Sequence, residues 1–214
     1  MKDFVKGKNV NAPFVDVYCA EIPQSDDFQR VYPQAREDEI QATANQAVKR
    51  ERYFVWKLLG YAVEKSFGKR LEDCAVEKGA SGKWRCDSCE FSLSHSKNAV
   101  CVAVSNMPVG VDVERIEPTK RDISKIILSA EEYARYLELS QDEKTEFIIG
   151  AWTKKESLFK RKDVKSVTRD AFQGLDEPVF QTSIVVCGER YALAVAADTA
   201  NVRVYENIDL MKEN

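Results

Sequence analysis

Two similar pairs of strand-like runs, one near the middle of the chain and one near its end, constrain its fold more than any other feature. AVCVAV is followed by VGVDVE in the first pair, and LAVAA is followed by VRVYE in the second. Alternating β-branched and small residues of this kind are typical of strands in a sheet. We predict an α+β fold with two pseudo-equivalent halves, 1–110 and 111–214, related by an approximate twofold with a ligand cleft between them. The likeness is short and apolar, so chance similarity between two sheet segments explains it about as well as duplication.

Long helical patterns separate the strand-like runs. Val55, Leu58, Leu59, Ala62 and Val63 recur at the spacing of one helix face, which predicts a long helix over 39–68 that ends near the glycine. Two further helices are predicted over about 123–139 and 143–162. The segment 78–89 is rich in Gly, Ser and Lys and predicts a loop or hairpin.

The composition is that of a globular protein with one large core or two smaller ones. The 214 residues are 44% hydrophobic and 31% charged, with a formal net charge of −3. A general nucleic-acid binder needs a surplus of Lys and Arg to neutralise phosphates, which this chain lacks. No run approaches the roughly 18 apolar residues that cross a bilayer, and residues 1–10 are polar and basic rather than secretory. We therefore expect a cytoplasmic protein with reduced cysteines that binds neither nucleic acid nor membrane.

Cys86 and Cys89 form a lone CxxC. A structural zinc site needs four ligands, but the chain has no second CxxC, and its sole histidine, His95, is isolated. We therefore interpret these cysteines as ordinary thiols near a turn.

Two acidic residues share one side of the predicted strand GVDVERIEP. Alternation puts Val111 and Val113 on one side and Asp112 and Glu114 on the other. Like charges at that spacing destabilise each other unless a cation or basic group lies between them, so the pattern suggests a metal site. A solvated strand face is the simpler explanation of these residues alone.

The helical run WTKKESLFK places charges at the edge of an apolar face. Glu156 and Lys160 lie four residues apart at this edge, although such pairs are also the commonest on helix surfaces. Lys155 falls inside the apolar arc, where its ammonium either extends to solvent or meets a buried anion.

The run FSLSHS pairs Ser94 with His95 next to a predicted strand. A serine hydrolase triad is excluded, because adjacent side chains of an extended strand project to opposite sides. A hydroxyl and an imidazole suit phosphate binding better, and a hydrogen-bonded structural histidine remains an equal alternative. The chain has neither GxxxxGK[ST] nor GxGxxG, so it lacks both common nucleotide loops. Other candidates for an anion site are Lys83 in GASGKWR and the helical residues Lys49, Arg50, Arg52 and Lys57.

Taken in order, GKW, SLSH, GVDVE and WTKKESLFK give the chain a resemblance to the 4′-phosphopantetheinyl transferases of the Sfp type. The family pattern is G-[IV]-D-[IV]-E followed about forty residues later by W-[ST]-x-K-E-[SA]-x-x-K, and every specified position is matched. One departure is Trp84, where many relatives have proline after the Gly-Lys pair. The resemblance implies Mg²⁺-dependent transfer of phosphopantetheine from coenzyme A to a serine of an acyl or peptidyl carrier protein, with 3′,5′-ADP as the second product.

The resemblance also implies roles for individual residues. It implies that Asp112, Glu114 and Glu156 bind Mg²⁺, and that Glu156, directly or through a metal-bound water, accepts the proton of the carrier serine. The catalytic residues it implies are Asp112, Glu156 and Lys160. The coenzyme A-binding residues it implies are Ser94, His95, Lys83, Lys155, Lys160, Arg52 and Lys57.

Carrier proteins are acidic, so the enzyme needs a basic and apolar landing surface. The segment 120–128 supplies both, and we expect Arg121, Lys125 and either Ile126 or Ile127 to dock the carrier. The start of an amphipathic helix explains the same segment equally well. The alternative functions are a non-catalytic carrier-protein or nucleotide-binding module and another Mg²⁺-dependent phosphotransferase. We expect a monomer, and the pathway served, whether fatty-acid, polyketide or nonribosomal-peptide synthesis, stays open.

Overall fold

The computed structural model describes residues 12–119, 121–163, 172–175 and 177–212. Its strands are β1 (Val15–Glu21), β2 (Val76–Lys78), β3 (Trp84–Cys86), β4 (Glu90–Ser96), β5 (Ala99–Ser105), β6 (Gly110–Arg115), β7 (Phe180–Val186), β8 (Glu189–Ala196) and β9 (Val202–Tyr205). Its helices are α1 (Gln34–Gln41), α2 (Gln46–Phe67), α3 (Ser124–Ile127), α4 (Ala130–Leu137) and α5 (Gln141–Lys162). A short 3₁₀ turn covers Leu71–Asp73.

The strands form two larger sheets and one hairpin. The four-stranded sheet has the order β4-β5-β1-β9, the three-stranded sheet has the order β6-β8-β7, and β2 pairs with β3. Strand β1 is antiparallel to β5 and parallel to β9. The C-terminal strand β9 therefore completes a sheet whose other strands all precede residue 110.

The two sheets pack face to face, and a long helix covers the outer side of each. Alternation along β1 sends Val15, Val17 and Cys19 into the core between the sheets, while Tyr18 and Ala20 face the core under α2. A third core lies between β8 and the helices α3 and α5. Every residue of β5 is buried, because both faces of this central strand are covered.

This architecture confirms the predicted α+β class, since the sheets are mainly antiparallel and the long helices flank them. Among the described residues, no helix combines the length and apolar composition that crossing a membrane requires. The segment 78–89, predicted as a loop or hairpin, contains the turn and second strand of a hairpin whose first strand, β2, begins at Val76.

Helix boundaries differ from the predictions where a capping residue interrupts the pattern. The helix predicted from residue 39 begins at Gln46, because the Asn45 side chain accepts the backbone N–H groups of Ala47 and Val48. Its end was predicted correctly, with Gly68 in the left-handed region at φ 67°. The single helix predicted over 123–139 is wrong, because Ser129 forms a capping box that starts α4 separately from α3.

Candidate functional site

Three serines at alternate positions of β4 bind three backbone N–H groups at alternate positions of β6. The Oγ atoms of Ser92, Ser94 and Ser96 accept from Val111, Val113 and Arg115 at 3.0, 3.2 and 3.3 Å. This ladder joins the edges of the two sheets and sets the register of β6. The carboxylates between these N–H groups therefore lie beside the serines.

Asp112 lies on the side of β6 that the sequence predicts, and two polar side chains bind its carboxylate. Its Oδ1 accepts from Ser94 Oγ at 2.8 Å and from Lys160 Nζ at 2.7 Å. Lys160 Nζ also donates to Ser94 Oγ at 3.0 Å, so the three groups form a closed triangle. The Oδ2 atom is buried and has no hydrogen-bond partner. A buried carboxylate oxygen without a partner is costly unless something else binds it.

Glu114 and Glu156 lie close enough to Asp112 for the three carboxylates to repel one another. Burial raises the pKa of Glu114, and Asp112 adds to the shift although Ser96 Oγ donates to Glu114 at 2.6 Å. Burial also raises the pKa of Glu156, followed by the repulsion of Asp112, while Lys160 opposes the shift. The site therefore concentrates more negative charge than Lys160 neutralises.

The donor set fits a divalent cation. Mg²⁺ prefers carboxylate oxygens, and it would bind the unpartnered Asp112 Oδ2 while relieving the repulsion that raises the pKa values of Glu114 and Glu156. However, the oxygen atoms of the three carboxylates do not all lie within 4.8 Å of one another. Among the described residues, the group of three ligand atoms within 4.8 Å of one another is Cys74, Cys86 and Asp87.

A cavity of about 340 Å³ opens beside this cluster, with lining residues from both sides of residue 110. Glu156, Phe159 and Lys160 line it from α5, and Lys83 and Trp84 line it from the β2–β3 hairpin. Lys83 Nζ donates to the backbone oxygen of Lys160 at 2.9 Å, and burial lowers the pKa of Lys83. The ammonium groups of Lys83 and Lys160 thus line a single pocket together with the carboxylates of Glu156 and Asp163. The two cations suit a phosphate ester.

A larger cavity, of about 740 Å³, lies between α4 and α5 and is lined by residues such as Arg135 and Lys154. No residue of the predicted site lines it, so the carboxylates and not the cavity size identify the candidate site.

The structure separates Ser94 from His95. Ser94 is buried against β6, where its hydroxyl donates to Asp112 and accepts from two partners. His95 projects toward α2, with Nδ1 3.5 Å from Glu51 Oε2 and 47% of its side chain exposed. Partial burial holds the pKa of His95 below its usual value, against the attraction of Glu51. Binding of coenzyme A by both residues stays a prediction, and their side chains do not share one pocket wall.

The structure places Lys155, which the resemblance assigns to coenzyme A, outside the pocket beside Lys160, and that assignment stays a prediction. Its side chain is fully buried, and Nζ donates to the Ile127 carbonyl oxygen at 2.6 Å and to Glu132 Oε2 at 2.7 Å. Lys155 therefore joins α5 to α3 and α4, on the side of the helix away from Lys160. The sequence could not distinguish a buried ligand from a buried carboxylate partner.

Substitution Lys155→Met tests this structural role. The substitution removes the ammonium group that binds Glu132 and a buried carbonyl oxygen. We therefore expect the free energy of unfolding to be about 2–4 kcal/mol lower than in the wild type. Urea denaturation measures the difference. The control is Lys162→Met on the same helix, which removes a surface ion pair to Glu177 and should change stability by less than about 1 kcal/mol. Equal stabilities of Lys155→Met and the wild type would contradict the role.

Among the predicted basic residues of α2, Arg52 lines a second opening. Arg52 donates to Thr43 Oγ1 at 2.8 Å and lines a cavity of about 520 Å³ with Arg36 and Lys78. Gly82 and Trp84 line both this cavity and the one beside Lys160. Lys57 is half-buried on the same helix.

The predicted carrier-docking segment is mostly on the surface. Arg121 and Lys125 are exposed, and Ile126 is 55% exposed. Ile127 is fully buried, so of the two isoleucines only Ile126 is available to a partner. Lys120 lies outside the described residues.

The roles of Ser92 and Ser96 were not predicted. Their signal was the S-x-S-x-S alternation in FSLSHS, which places three hydroxyls on one side of β4. Phe159 and Trp84 line the pocket without any sequence signal that distinguishes them from core aromatics.

Residues 108–194, which include β6 and α5, match the model of the 4′-phosphopantetheinyl transferase superfamily. The predicted resemblance is confirmed. The 4′-phosphopantetheinyl transferase Sfp of Bacillus subtilis (strain 168) is 35% identical over 71 residues, which are 33% of this chain and 32% of that protein. The 4′-phosphopantetheinyl transferase psf-1 of Bacillus pumilus is 29% identical over 106 residues, 48% of this chain and 46% of that protein. The chain thus matches between about a third and a half of the length of these phosphopantetheinyl transferases.

Proposed function

We propose that this protein transfers 4′-phosphopantetheine from coenzyme A to a serine of an acyl or peptidyl carrier protein, releasing 3′,5′-ADP. The observation that carries the proposal is the triangle of Asp112, Ser94 and Lys160 beside Glu156, at the mouth of a pocket shared with Lys83. The superfamily match covers β6 and α5, the two elements that supply the acidic members of this group.

In the proposed reaction, the carrier serine oxygen forms a bond to the β-phosphorus of coenzyme A. The phosphoanhydride bond to the α-phosphate breaks, and its electron pair leaves with 3′,5′-ADP. Glu156, whose carboxylate lines the pocket beside Lys160, accepts the serine proton. Lys160 and Lys83 neutralise charge on the phosphate oxygens as the leaving group develops.

Asp112, Glu114 and Glu156 would hold Mg²⁺ together with diphosphate oxygens. When bound, Mg²⁺ supplies charge neutralisation at the diphosphate. Ser94 and Ser96 orient the carboxylates of Asp112 and Glu114 through hydrogen bonds of 2.8 and 2.6 Å.

We also propose that the chain consists of two pseudo-equivalent halves that meet near residue 110 and work as a monomer. Two features support the division into halves. A helix of 22 residues covers each sheet, α2 on one and α5 on the other. In both of the similar strand pairs, β5–β6 and β8–β9, the first strand belongs to one sheet and the second to the other. The pocket between α5 and the β2–β3 hairpin is the proposed cleft.

Incubation with an apo carrier protein, coenzyme A and Mg²⁺ tests the transfer. We expect the mass of the carrier to increase by one phosphopantetheine, with equimolar release of 3′,5′-ADP. Failure with acyl, aryl and peptidyl carriers, combined with retained coenzyme A binding, would favour a non-catalytic module. The transferase assignment would then be wrong.

The raised pKa of Glu156 predicts a pH-dependent stability difference. A carboxyl whose pKa is higher in the folded state than its ordinary 4.5 stabilises the fold below that value, and the contribution is lost as the pH rises through the folded pKa. Glu156→Gln has no carboxyl to ionise at this position. In metal-free buffer its stability relative to the wild type should therefore increase as the pH rises from 4.5 through the folded pKa of Glu156. Each unit of pKa shift corresponds to about 1.4 kcal/mol.

Urea denaturation at a series of pH values measures this effect. The control is Glu143→Gln on the same helix, where hydrogen bonds from Ser140 lower the pKa of the carboxyl. The pH dependence of this control has the opposite sign. The stabilisation by the Glu143 carboxylate is present above pH 4.5 and is lost as the pH falls through the lowered pKa. A pH-independent difference for Glu156→Gln would contradict the prediction.

Charge reversal on the docking segment should weaken carrier recognition. We expect the double variant Arg121→Glu/Lys125→Glu to raise the KM for an acidic carrier at least about tenfold while the KM for coenzyme A stays unchanged. Steady-state kinetics at varied carrier concentration measure this. Lys212→Glu, an exposed lysine near the C-terminus, serves as the control. An unchanged carrier KM in the double variant would exclude this surface.

A further inference from the structure

A cluster of sulfur ligands lies apart from the proposed catalytic carboxylates. Cys74 follows the 3₁₀ turn, Cys86 ends β3, and Cys89 directly precedes β4. The ligand atoms of Cys74, Cys86 and Asp87 all lie within 4.8 Å of one another. The Cys89 thiol lies outside this group of mutually close atoms, but it is a hydrogen-bond partner of the Cys86 sulfur. Folding therefore adds a third cysteine and a carboxylate to the CxxC, which the sequence alone left with too few ligands.

The backbone around Cys86 is arranged to stabilise a thiolate. The N–H of Ser88 donates to Cys86 Sγ at 3.5 Å, and the N–H of Cys89 donates to the same sulfur. The CxxC turn thus wraps two amide donors around the first sulfur. Hydrogen bonds from backbone N–H groups favour the charged form, which is the form that binds a metal.

Hydrogen bonds also hold the ligand segments together without a metal. Asp87 N–H donates to the Ala75 carbonyl oxygen at 3.1 Å, and Ala75 N–H donates to Asp87 Oδ1 at 3.1 Å. Ser88 Oγ donates to the same carboxylate oxygen at 2.9 Å. The residue after Cys74 is thereby fastened to the residue after Cys86, so the cluster is largely preformed.

The spacing is close to that of a tetrahedral zinc site. Zn–S and Zn–O distances of about 2.3 and 2.1 Å imply ligand separations of about 3.8 Å between sulfurs and about 3.6 Å between sulfur and oxygen. Cys86 Sγ lies 3.9 Å from Asp87 Oδ1, close to the second of these separations, whereas Cys89 Sγ would have to move toward Cys74 and Asp87 to complete the site. Cys74 and Cys89 are buried and Cys86 is partly buried, which is typical of structural rather than catalytic metal ligands.

We propose that Cys74, Cys86, Cys89 and Asp87 form a structural Zn²⁺ site. It would join the 3₁₀ turn and the β2–β3 hairpin to the start of β4. This hairpin has only three residues in each strand, and Val76 and Trp84 attach it to the core under α2. The hairpin also carries Trp84 and, in its turn, Lys83, which line the pocket beside Lys160. The zinc site would therefore stabilise one wall of that pocket.

Metal analysis of the full chain, purified from zinc-supplemented cells without chelator, tests the proposal. We expect about one zinc ion per chain by inductively coupled plasma mass spectrometry. Cys74→Ser and Cys89→Ser should lose it, whereas Cys187→Ser, which alters an exposed cysteine in the β7–β8 turn, should retain it. Chelation should lower the melting temperature of the wild type by about 4 °C or more and leave that of Cys89→Ser unchanged.

Asp87→Asn provides a variant that keeps its fold, since the amide oxygen can still accept from Ala75 and Ser88. We expect its Zn²⁺ affinity, measured by competition with a chromogenic chelator, to fall at least about tenfold. Three results would overturn the proposal. They are wild-type protein without zinc, zinc retained by Cys89→Ser, and a disulfide between Cys86 and Cys89 in freshly purified, metal-free protein. None of these results depends on transferase activity, so the two proposals fail separately.

Discussion

Replacing Asp112 with asparagine is expected to lower kcat/KM for carrier modification by at least about a thousandfold. The substitution keeps the size of the side chain but removes its charge. Asp112 Oδ1 would no longer pair with Lys160 at 2.7 Å, and the buried Oδ2, which has no protein partner, could no longer serve as an anionic ligand. Mass spectrometry of the carrier under steady-state conditions measures the loss.

The fold should survive this substitution. The Lys160 side chain is 29% exposed, so water can solvate its ammonium when the partner is neutral. Asp209→Asn, an exposed acid paired with Lys212, is the matched control and should keep wild-type kinetics. A folded Asp112→Asn protein with more than about a tenth of wild-type kcat/KM would rule out the central role of this carboxylate.

Gly110→Ala is expected to reduce the free energy of unfolding by about 3 kcal/mol or more. A Cβ atom at this position would lie 1.9 Å from the Ser157 carbonyl oxygen and 2.5 Å from the Arg161 backbone nitrogen. Both are backbone atoms of α5, so no side-chain rotation relieves the clash. Strand β6 and helix α5 would have to move apart, separating Asp112 from Lys160, and activity should fall with stability.

Thermal and urea unfolding measure the effect of Gly110→Ala. Gly60→Ala is the control, because Gly60 lies within α2 and a Cβ there meets nothing within 4 Å. Alanine has the higher helix propensity, so this variant should be more stable than the wild type by about 0.5–1 kcal/mol. Equal stability of Gly110→Ala and the wild type would show that α5 does not pack on β6 as closely as described.

Local patterns predicted the parts of the fold that depend on neighbouring residues. The end of α2 at Gly68 and the alternation of Asp112 and Glu114 against Val111 and Val113 were both predicted correctly. The helix starts were predicted less well. Asn45 and Ser129 are caps whose side chains interrupt continuous hydrophobic patterns, and periodicity weighs such single residues too lightly.

The sequence by itself determined the α+β class and the acidic and basic residue types that the motifs bring to the site, because alternation and helix spacing are local properties of the chain. Only the tertiary structure decided which of these side chains meet. Lys155 and Lys160 share one helix, yet one is buried against Glu132 and the other pairs with Asp112. Tertiary packing likewise brings Cys74 next to Cys86, which lies twelve positions later in the chain. Such contacts depend on how strands and helices pack, and that packing sums many weak long-range interactions that no single motif records.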